Sequence, residues 1–285
     1  MSERLAVVTT VAGRHRHLAA QHASLAAGER RPDLTVVVSM GDPGVEDVVA
    51  AGPLPAVCDV AVEHVDVDRG LPLAAARNTG ARRATAEGAD LLVFLDVDCL
   101  AGPALLGTYA RAAARVPLRR PALLAGPVAY LPPLPEDRTT YEQATLDAAV
   151  PHPARPAPPP GDLERESDLR LFWSLSFAVT PTAWQWIGGF DEGYTGYGGE
   201  DTDFAQRAAG CGACLWWVGG ALAFHQWHPV SDPPVEHLED VVGNANRFHC
   251  RWGWFPMEGW LAAFDARGLA HHDPDTDRWV LGAGA

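Results

Sequence analysis

Over its first hundred residues the chain alternates between two patterns. The runs 5–10, 34–40 and 91–95 are apolar at nearly every position, and 61–67 reads as a further strand. Between them, 14–27, 45–51 and the alanine-rich 73–87 have helical character. A run that is apolar throughout, yet too short for a helix buried on all faces, predicts a strand covered on both sides of a parallel sheet. Gly41-Asp42-Pro43-Gly44 ends the second run as a turn, and Gly88 stops the helix over 73–87. Strands alternating with helices predict an α/β fold with a mostly parallel central sheet, flanking helices and right-handed crossovers.

The pattern loosens after residue 100. Pro103 opens a helix to about 116, since proline suits a first helical turn. Short strands are expected at 123–128, 172–180, 213–218 and 223–224, with a short helix at 181–187. Gly196-Tyr197-Gly198-Gly199 feeds a helix that ends near Gly210. The tail 235–268 reads as helical and carries Trp252, Trp254 and Trp260. Residues 131–168 stand apart, rich in proline and charge, with Pro156-Ala157-Pro158-Pro159-Pro160 near their end. So long a stretch with little periodicity predicts a lid, a binding loop or disorder. The expected division is 1–100, then 101–230 with its loop 131–168, then a helical extension 231–285. The first two form abutting subdomains of one domain.

Bulk properties narrow the function. The chain has 285 residues, 47% of them hydrophobic, which suffices for one large core. A formal net charge of -14, with no basic stripe longer than Arg14-His15-Arg16-His17, argues against a nucleic-acid partner. An acidic protein that handles a diphosphate needs local relief from its own field, through a metal or a few placed arginines. No apolar run approaches the length of a membrane span, which leaves only peripheral membrane contact open. Met1-Ser2-Glu3-Arg4 leads straight into a strand, and the five cysteines are odd in number. Together these predict no secretory signal, free thiols and a cytoplasmic setting. Cys211-Gly212-Ala213-Cys214 lacks the two further ligands of a structural zinc site and reads better as a turn entering a strand.

Candidate chemistry lies at three places. Asp96 and Asp98 follow the run 91–95, where open α/β sheets bind ligands. In extended chain their carboxylates leave on one side, suited to a hard divalent metal carrying a phosphorylated ligand. They suit a turn before the next helix equally well. Glu200, Asp201 and Asp203 begin a helix, where one carboxylate would satisfy the helix dipole. Three, after two glycines that let backbone approach a ligand, supply a candidate general base. His225 and His228, three apart, can face one centre, and imidazole beside carboxylate suits Mn²⁺. Spacing does not decide which histidine binds.

Taken together these residues resemble a family. Asp96-Val97-Asp98 is similar to the D-x-D motif of GT-A fold (Rossmann-like) glycosyltransferases, family 2 type with a galactosyltransferase-like C-terminal half. Leu73-Ala74-Ala75-Ala76-Arg77-Asn78-Thr79-Gly80 resembles the helix preceding that motif. Gly188-Gly189-Phe190-Asp191-Glu192 through Gly198-Gly199-Glu200-Asp201-Thr202-Asp203 resembles the acceptor-side segment, and His225-x-x-His228 the late metal-ligand segment. The resemblance spans about 5–265. It implies an inverting, metal-dependent hexosyltransferase using Mn²⁺ (or Mg²⁺) and a nucleoside-diphosphate sugar, with UDP the favoured carrier, and an unknown hydroxyl acceptor. Residues 1–100 would bind the donor and 101–230 the acceptor. Asp98, with His225 or His228 or both, would hold the metal. Asp201 would be the base, and Glu200 would orient the acceptor. Thr10, Ala12, Arg14, Asp42, Arg77, Asn78 and Asp96 would line the donor site. The chain departs from the family in its insert 131–168 and in having histidine at both late positions.

Two other readings remain at this level. A nucleotidyltransferase making a sugar nucleotide would share the layout, but Val11-Ala12-Gly13-Arg14 offers only one glycine for a triphosphate loop. A non-catalytic nucleotide- or sugar-binding protein would use the tryptophan-rich tail as a partner surface, although such tryptophans are more often core.

Overall fold

The computed structural model describes residues 3–117, 119–135 and 138–282. Its first half follows the pattern closely. The elements run β1 (Leu5–Val11), α1 (His15–Ala27), β2 (Leu34–Met40), α2 (Val45–Ala51), β3 (Asp59–Val65), α3 (Leu73–Ala86) and β4 (Leu91–Leu95). Every residue of β1, β2 and β4 is buried, as uniformly apolar strands between helical layers should be. Helix α3 lies against the sheet with Ala74, Ala76, Gly80, Ala81 and Ala84 buried. Small side chains bring it so close that a Cβ on Gly80 would collide with Val8 Cγ1. Gly80→Val is therefore expected to cost about 1–3 kcal/mol by overpacking, read as a lower Tm. An unchanged Tm would mean that the helix–sheet contact is looser than this.

The chain continues through β5 (Cys99–Ala101), α4 (Leu105–Ala113), β6 (Ala122–Ala125), β7 (Val128–Tyr130), α5 (Gln143–Ala148), β8 (Leu163–Glu166) and β9 (Ser176–Val179). Then come α6 (Pro181–Ile187), α7 (Glu200–Gly210), β10 (Cys214–Val218), β11 (Ala223–His225), α8 (Leu238–Trp252), α9 (Glu258–Ala266), β12 (Ala270–Asp273) and β13 (Arg278–Leu281). The central sheet has eight strands in the order β3-β2-β1-β4-β9-β6-β10-β8. Strands β1, β2, β3, β4, β6 and β10 point one way, and β8 and β9 the other. The sheet is thus mostly parallel, as expected. One core cluster joins Ala6 and Phe94 to Phe177, Phe204 and Trp217, so both halves share it. Among the described residues no helix is long and apolar enough to cross a membrane.

Three expectations need correction. The run 123–128 is not one strand: the chain leaves the central sheet after β6 and enters a small sheet, β5-β11-β7, at Val128. Pro127 stands at the crossing and has no N–H for a ladder. Residues 131–168 are not merely loop. Besides α5 they supply β8, which covers the open edge of β10, with Trp217 Nε1 donating to Glu166 Oε2 at 3.2 Å. The extension 231–285 is not all helix: α8 and α9 lie within 235–268 as expected, but strands follow them. β12 and β13 form a hairpin tied to α8, where Asn246 Nδ2 donates to Trp279 O and Trp279 N to Asn246 Oδ1, both at 2.8 Å.

Candidate active site

The small sheet assembles the first part of the site. β5 and β11 pair antiparallel with Cys99 opposite His225, and β11 pairs with β7 so that His225 lies opposite Tyr130. Gln226 N donates to Asp98 O at 2.7 Å and extends the ladder by one residue. This register carries His225 and His228 to Asp98. His225 Nε2 is 3.7 Å from Asp98 Oδ1, and His228 Nε2 is 3.5 Å from Asp98 Oδ2. One ligand atom from each of the three lies within 4.8 Å of the others. The ring of Tyr130 stacks on His225 at 4.7 Å and fixes that imidazole.

Asp96 and Asp98 are in a turn, not in extended chain, with Cys99 N donating to Asp96 O at 2.8 Å. Their carboxylates consequently serve different partners. Asp98 faces the histidines and Arg14, whose Nη1 is 2.9 Å from Oδ2. Burial alone would raise its pKa. The hydrogen bond from His228 and the charges of His225 and Arg14 outweigh that and hold it down at about 2. Asp96 turns instead to Arg77 at 3.1 Å. Burial, with the charges of Asp98 and Glu200, pushes Asp96 up to about 6 despite that arginine. Burial also lowers the pKa of His225, which favours the neutral imidazole that ligation needs.

Arg77 joins this centre to the acidic start of α7. It is 4% exposed, and its Nη1 donates to Glu200 Oε1 at 3.0 Å. Burial would weaken its charge, but the Asp96 and Glu200 carboxylates keep it firmly protonated. Gly199 caps α7 with φ 88°, a conformation costly for other residues, so the first turn can sit against Tyr194 and Asn244. Asp201 Oδ1 accepts from Thr202 N at 2.7 Å and from Thr202 Oγ1 at 3.3 Å. Its Oδ2 has no protein partner among the described residues. Burial and the neighbouring Glu200 charge raise the Asp201 pKa to about 7. Asp203 plays a different part. Fully buried, its Oδ1 accepts from Arg251 Nη1 and Trp252 Nε1, both at 2.9 Å, and so pins α8 to α7.

The residues expected around the donor divide. Thr10 is buried near the end of β1, Ala12 follows it half-buried, and Arg14 opens α1 with φ 49°. Asp42 ties two loops together: Oδ2 accepts from Gly13 N at 2.8 Å and contacts His15 Nε2 at 2.7 Å, and Oδ1 accepts from Gly44 N at 3.0 Å. The Asn78 amide is engaged within the chain. Nδ2 donates to Phe190 O and Glu192 Oε1, and Oδ1 accepts from Phe190 N, so it anchors the segment 188–192. The alternation that buries α3 already turned Asn78 away from open solvent. Arg155, in the insert, had no motif to mark it. It is 6% exposed and packs over Trp173 at 5.4 Å and Trp217 at 4.9 Å.

Similarity to known proteins follows these elements. Residues 162–216, which hold β8, β9 and the acidic start of α7, match the family described as the N-terminal domain of galactosyltransferase. Over 161 residues, 49% of this chain, the sequence is 32% identical to validoxylamine A glucosyltransferase of Streptomyces hygroscopicus subsp. jinggangensis (strain 5008). It is equally similar to the enzyme of that name from subsp. limoneus. The match covers 36% and 33% of those proteins, about a third of their length. Among solved structures, S. aureus TarS 1–349 superposes with TM-score 0.55 at 14% identity, over 85% of this chain and 64% of that one. GalNAc-T7 with UDP, GalNAc and Mn²⁺ gives TM-score 0.55 at 14% identity, over 87% and 50%. The TarS 1–349 complex with UDP gives 0.55 at 13%, over 93% and 79%. The fold is that of the GT-A glycosyltransferases, and the resemblance expected from the motifs is borne out.

Proposed function

We propose that this chain is a metal-dependent, inverting glycosyltransferase that moves a hexose from a nucleoside-diphosphate sugar, UDP being the favoured carrier, to a hydroxyl acceptor. One observation carries the reading: Arg77 bridges Asp96, which shares its turn with Asp98 of the Asp98–His225–His228 cluster, to Glu200 at the acidic start of α7, through ion pairs at 3.1 Å and 3.0 Å. A donor site and a base are then neighbours. The printed names of the relatives, a glucosyltransferase and a structure holding UDP, GalNAc and Mn²⁺, support the same class. The proposed setting is the cytoplasm, on the odd count of five cysteines.

The donor set fits a divalent cation. One carboxylate and two imidazoles suit Mn²⁺, and the three ligand atoms lie within 4.8 Å of one another. Asp98, His225 and His228 would hold the ion, which supplies Lewis-acid neutralisation of the departing diphosphate. The chain's own residues do the rest. Asp201 Oδ2 receives the acceptor proton while the acceptor oxygen bonds to the anomeric carbon and the carbon–phosphate oxygen bond breaks on the opposite face. Arg77 holds Asp96 and Glu200 in place, and Glu200 lies beside the base to orient the acceptor.

A pH profile follows. The charged and titratable groups around Asp201 are Glu200, Arg77 and Asp96, with Tyr197 and Arg155 nearby. With a carboxyl raised to about 7, the basic form grows as pH rises. Turnover at saturating donor is expected to rise about tenfold per unit below pH 7 and to level off above it. A profile flat from pH 5 to 9 would count against Asp201. The ligand class is checked by thermal shift with UDP, GDP, ADP and dTDP, each with and without Mn²⁺. At least one should raise Tm only with the metal, because a ligand that binds the native state alone stabilises it. No shift with any of the four would remove the proposal.

A further inference from the structure

Arg155 is the charged group that the reading above leaves without a task. Among the described residues none of its Nε, Nη1 and Nη2 atoms has a hydrogen-bond partner, and all three are shielded from solvent. A buried guanidinium with no partner is costly, and native structures seldom keep one without use. Trp173 and Trp217 pack on the guanidinium at 5.4 Å and 4.9 Å. Such contacts attract the cation through ring faces and leave the in-plane N–H donors unused. The groups whose charge would act on it are Tyr109, Tyr130, Cys99 and Asp201. Packed rings lead from it to the centre: Trp173, under the guanidinium, meets His152 at 5.2 Å, His152 meets Tyr130 at 5.4 Å, and Tyr130 stacks on His225 at 4.7 Å. The phenols and the thiol are ordinarily neutral at pH 7, so they do not balance the cation.

We infer that Arg155 is a further anion-binding group of this site, taking the diphosphate of the donor and holding its charge as it departs. The inference rests on the glycosyl-transfer reading. The planar fork of an arginine offers two parallel N–H bonds to phosphate oxygens, and shielding from water strengthens them. As the anomeric carbon–oxygen bond breaks, its electron pair passes to the terminal phosphate oxygen. Arg155 meets that growing charge from the side of the insert, while the acceptor proton goes to Asp201. The insert 131–168 thereby carries a working part of the donor site. An anionic group on the acceptor could use the same N–H donors, and the choice of ligands below separates the two sources.

The test uses the full chain with Mn²⁺ and compares UDP with UMP by calorimetry, in the parent and in Arg155→Met. The variant is expected to bind UDP at least about tenfold more weakly and UMP within about twofold of the parent. Without ligand it should melt no lower than the parent, because an uncompensated buried charge has been removed. Arg155→Lys keeps the charge but loses the fork, and its UDP affinity should fall between the two. UDP affinity within about twofold in Arg155→Met overturns the inference and points to an acceptor anion. Equal losses of UDP and UMP, or a clear fall in Tm without ligand, overturn it too, by making Arg155 a structural residue. Failure of the parent to bind any nucleoside diphosphate is a different result, and it removes the glycosyl-transfer reading instead.

Discussion

Asp201→Asn should leave donor affinity within about twofold of the parent and lower turnover at least about a hundredfold. Asparagine keeps the shape and the acceptor that Thr202 N–H uses at 2.7 Å, but it cannot take a proton. Glu200, the adjacent carboxylate, is already paired with Arg77 at 3.0 Å and is not free to substitute. The same variant should reveal the cost of the base to folding. A carboxyl raised to about 7 binds a proton in the folded chain that the unfolded chain releases near pH 4. Its contribution to stability therefore falls as pH rises from about 4 to 7, and above that window the charged group is a net burden. Asp201→Asn should remove this dependence and melt no lower than the parent at pH 8. Near-normal turnover in steady-state kinetics would end the assignment of Asp201 as base.

Asp98→Ala should abolish the effect of Mn²⁺ on donor binding. Two imidazoles are left without the carboxylate that anchors the cluster, and Arg14, His225 and His228 face one another with no negative charge between them. Even a group one step removed from a metal is worth about 10–100-fold in affinity, so loss of a ligand should exceed about a hundredfold. Calorimetry with UDP should then give the same weak affinity with and without Mn²⁺. Unchanged Mn²⁺-dependent affinity would defeat the metal assignment. His225→Ala and His228→Ala, measured in parallel, should each weaken the metal effect if both rings ligate.

How much of this could be read from the chain follows from the range of each interaction. β1, β2 and β4 were legible because each is apolar enough to be buried on both faces. α3 was legible because alanine repeats at helical spacing and Gly88 ends it. The edge strand β8 (Leu-Glu-Arg-Glu) and the hairpin strand β12 (Ala-His-His-Asp) are too polar to announce themselves. They exist because an edge of β10 and a face of α8 were there to receive them.

The site divides in the same way. Asp98, His225 and His228 stood out by residue type, but their meeting depends on the pairing of Cys99 with His225, which no local pattern encodes. Spacing does not separate the D-x-D pair and only the resemblance gave Asp98 the metal; in the turn Asp96 finds Arg77 and Asp98 the histidines. Asn78, expected at the donor site, also anchors the segment 188–192, since its amide bonds to Phe190 and Glu192. Arg155 left no signal at all. A lone arginine in a proline-rich stretch becomes interesting only when its N–H groups are seen to have no acceptor among the described residues.

The central claim is single-displacement transfer from a nucleotide sugar at a metal centre, with Asp201 as base. Proton NMR of slow donor hydrolysis tests it without knowledge of the acceptor. Full-length protein would be incubated with UDP-α-glucose or UDP-α-galactose, with and without Mn²⁺, and the released hexose observed before its anomers equilibrate. The account predicts that the β-anomer appears first, only with Mn²⁺, and not with Asp201→Asn. The α-anomer appearing first, or release independent of the metal, would contradict it.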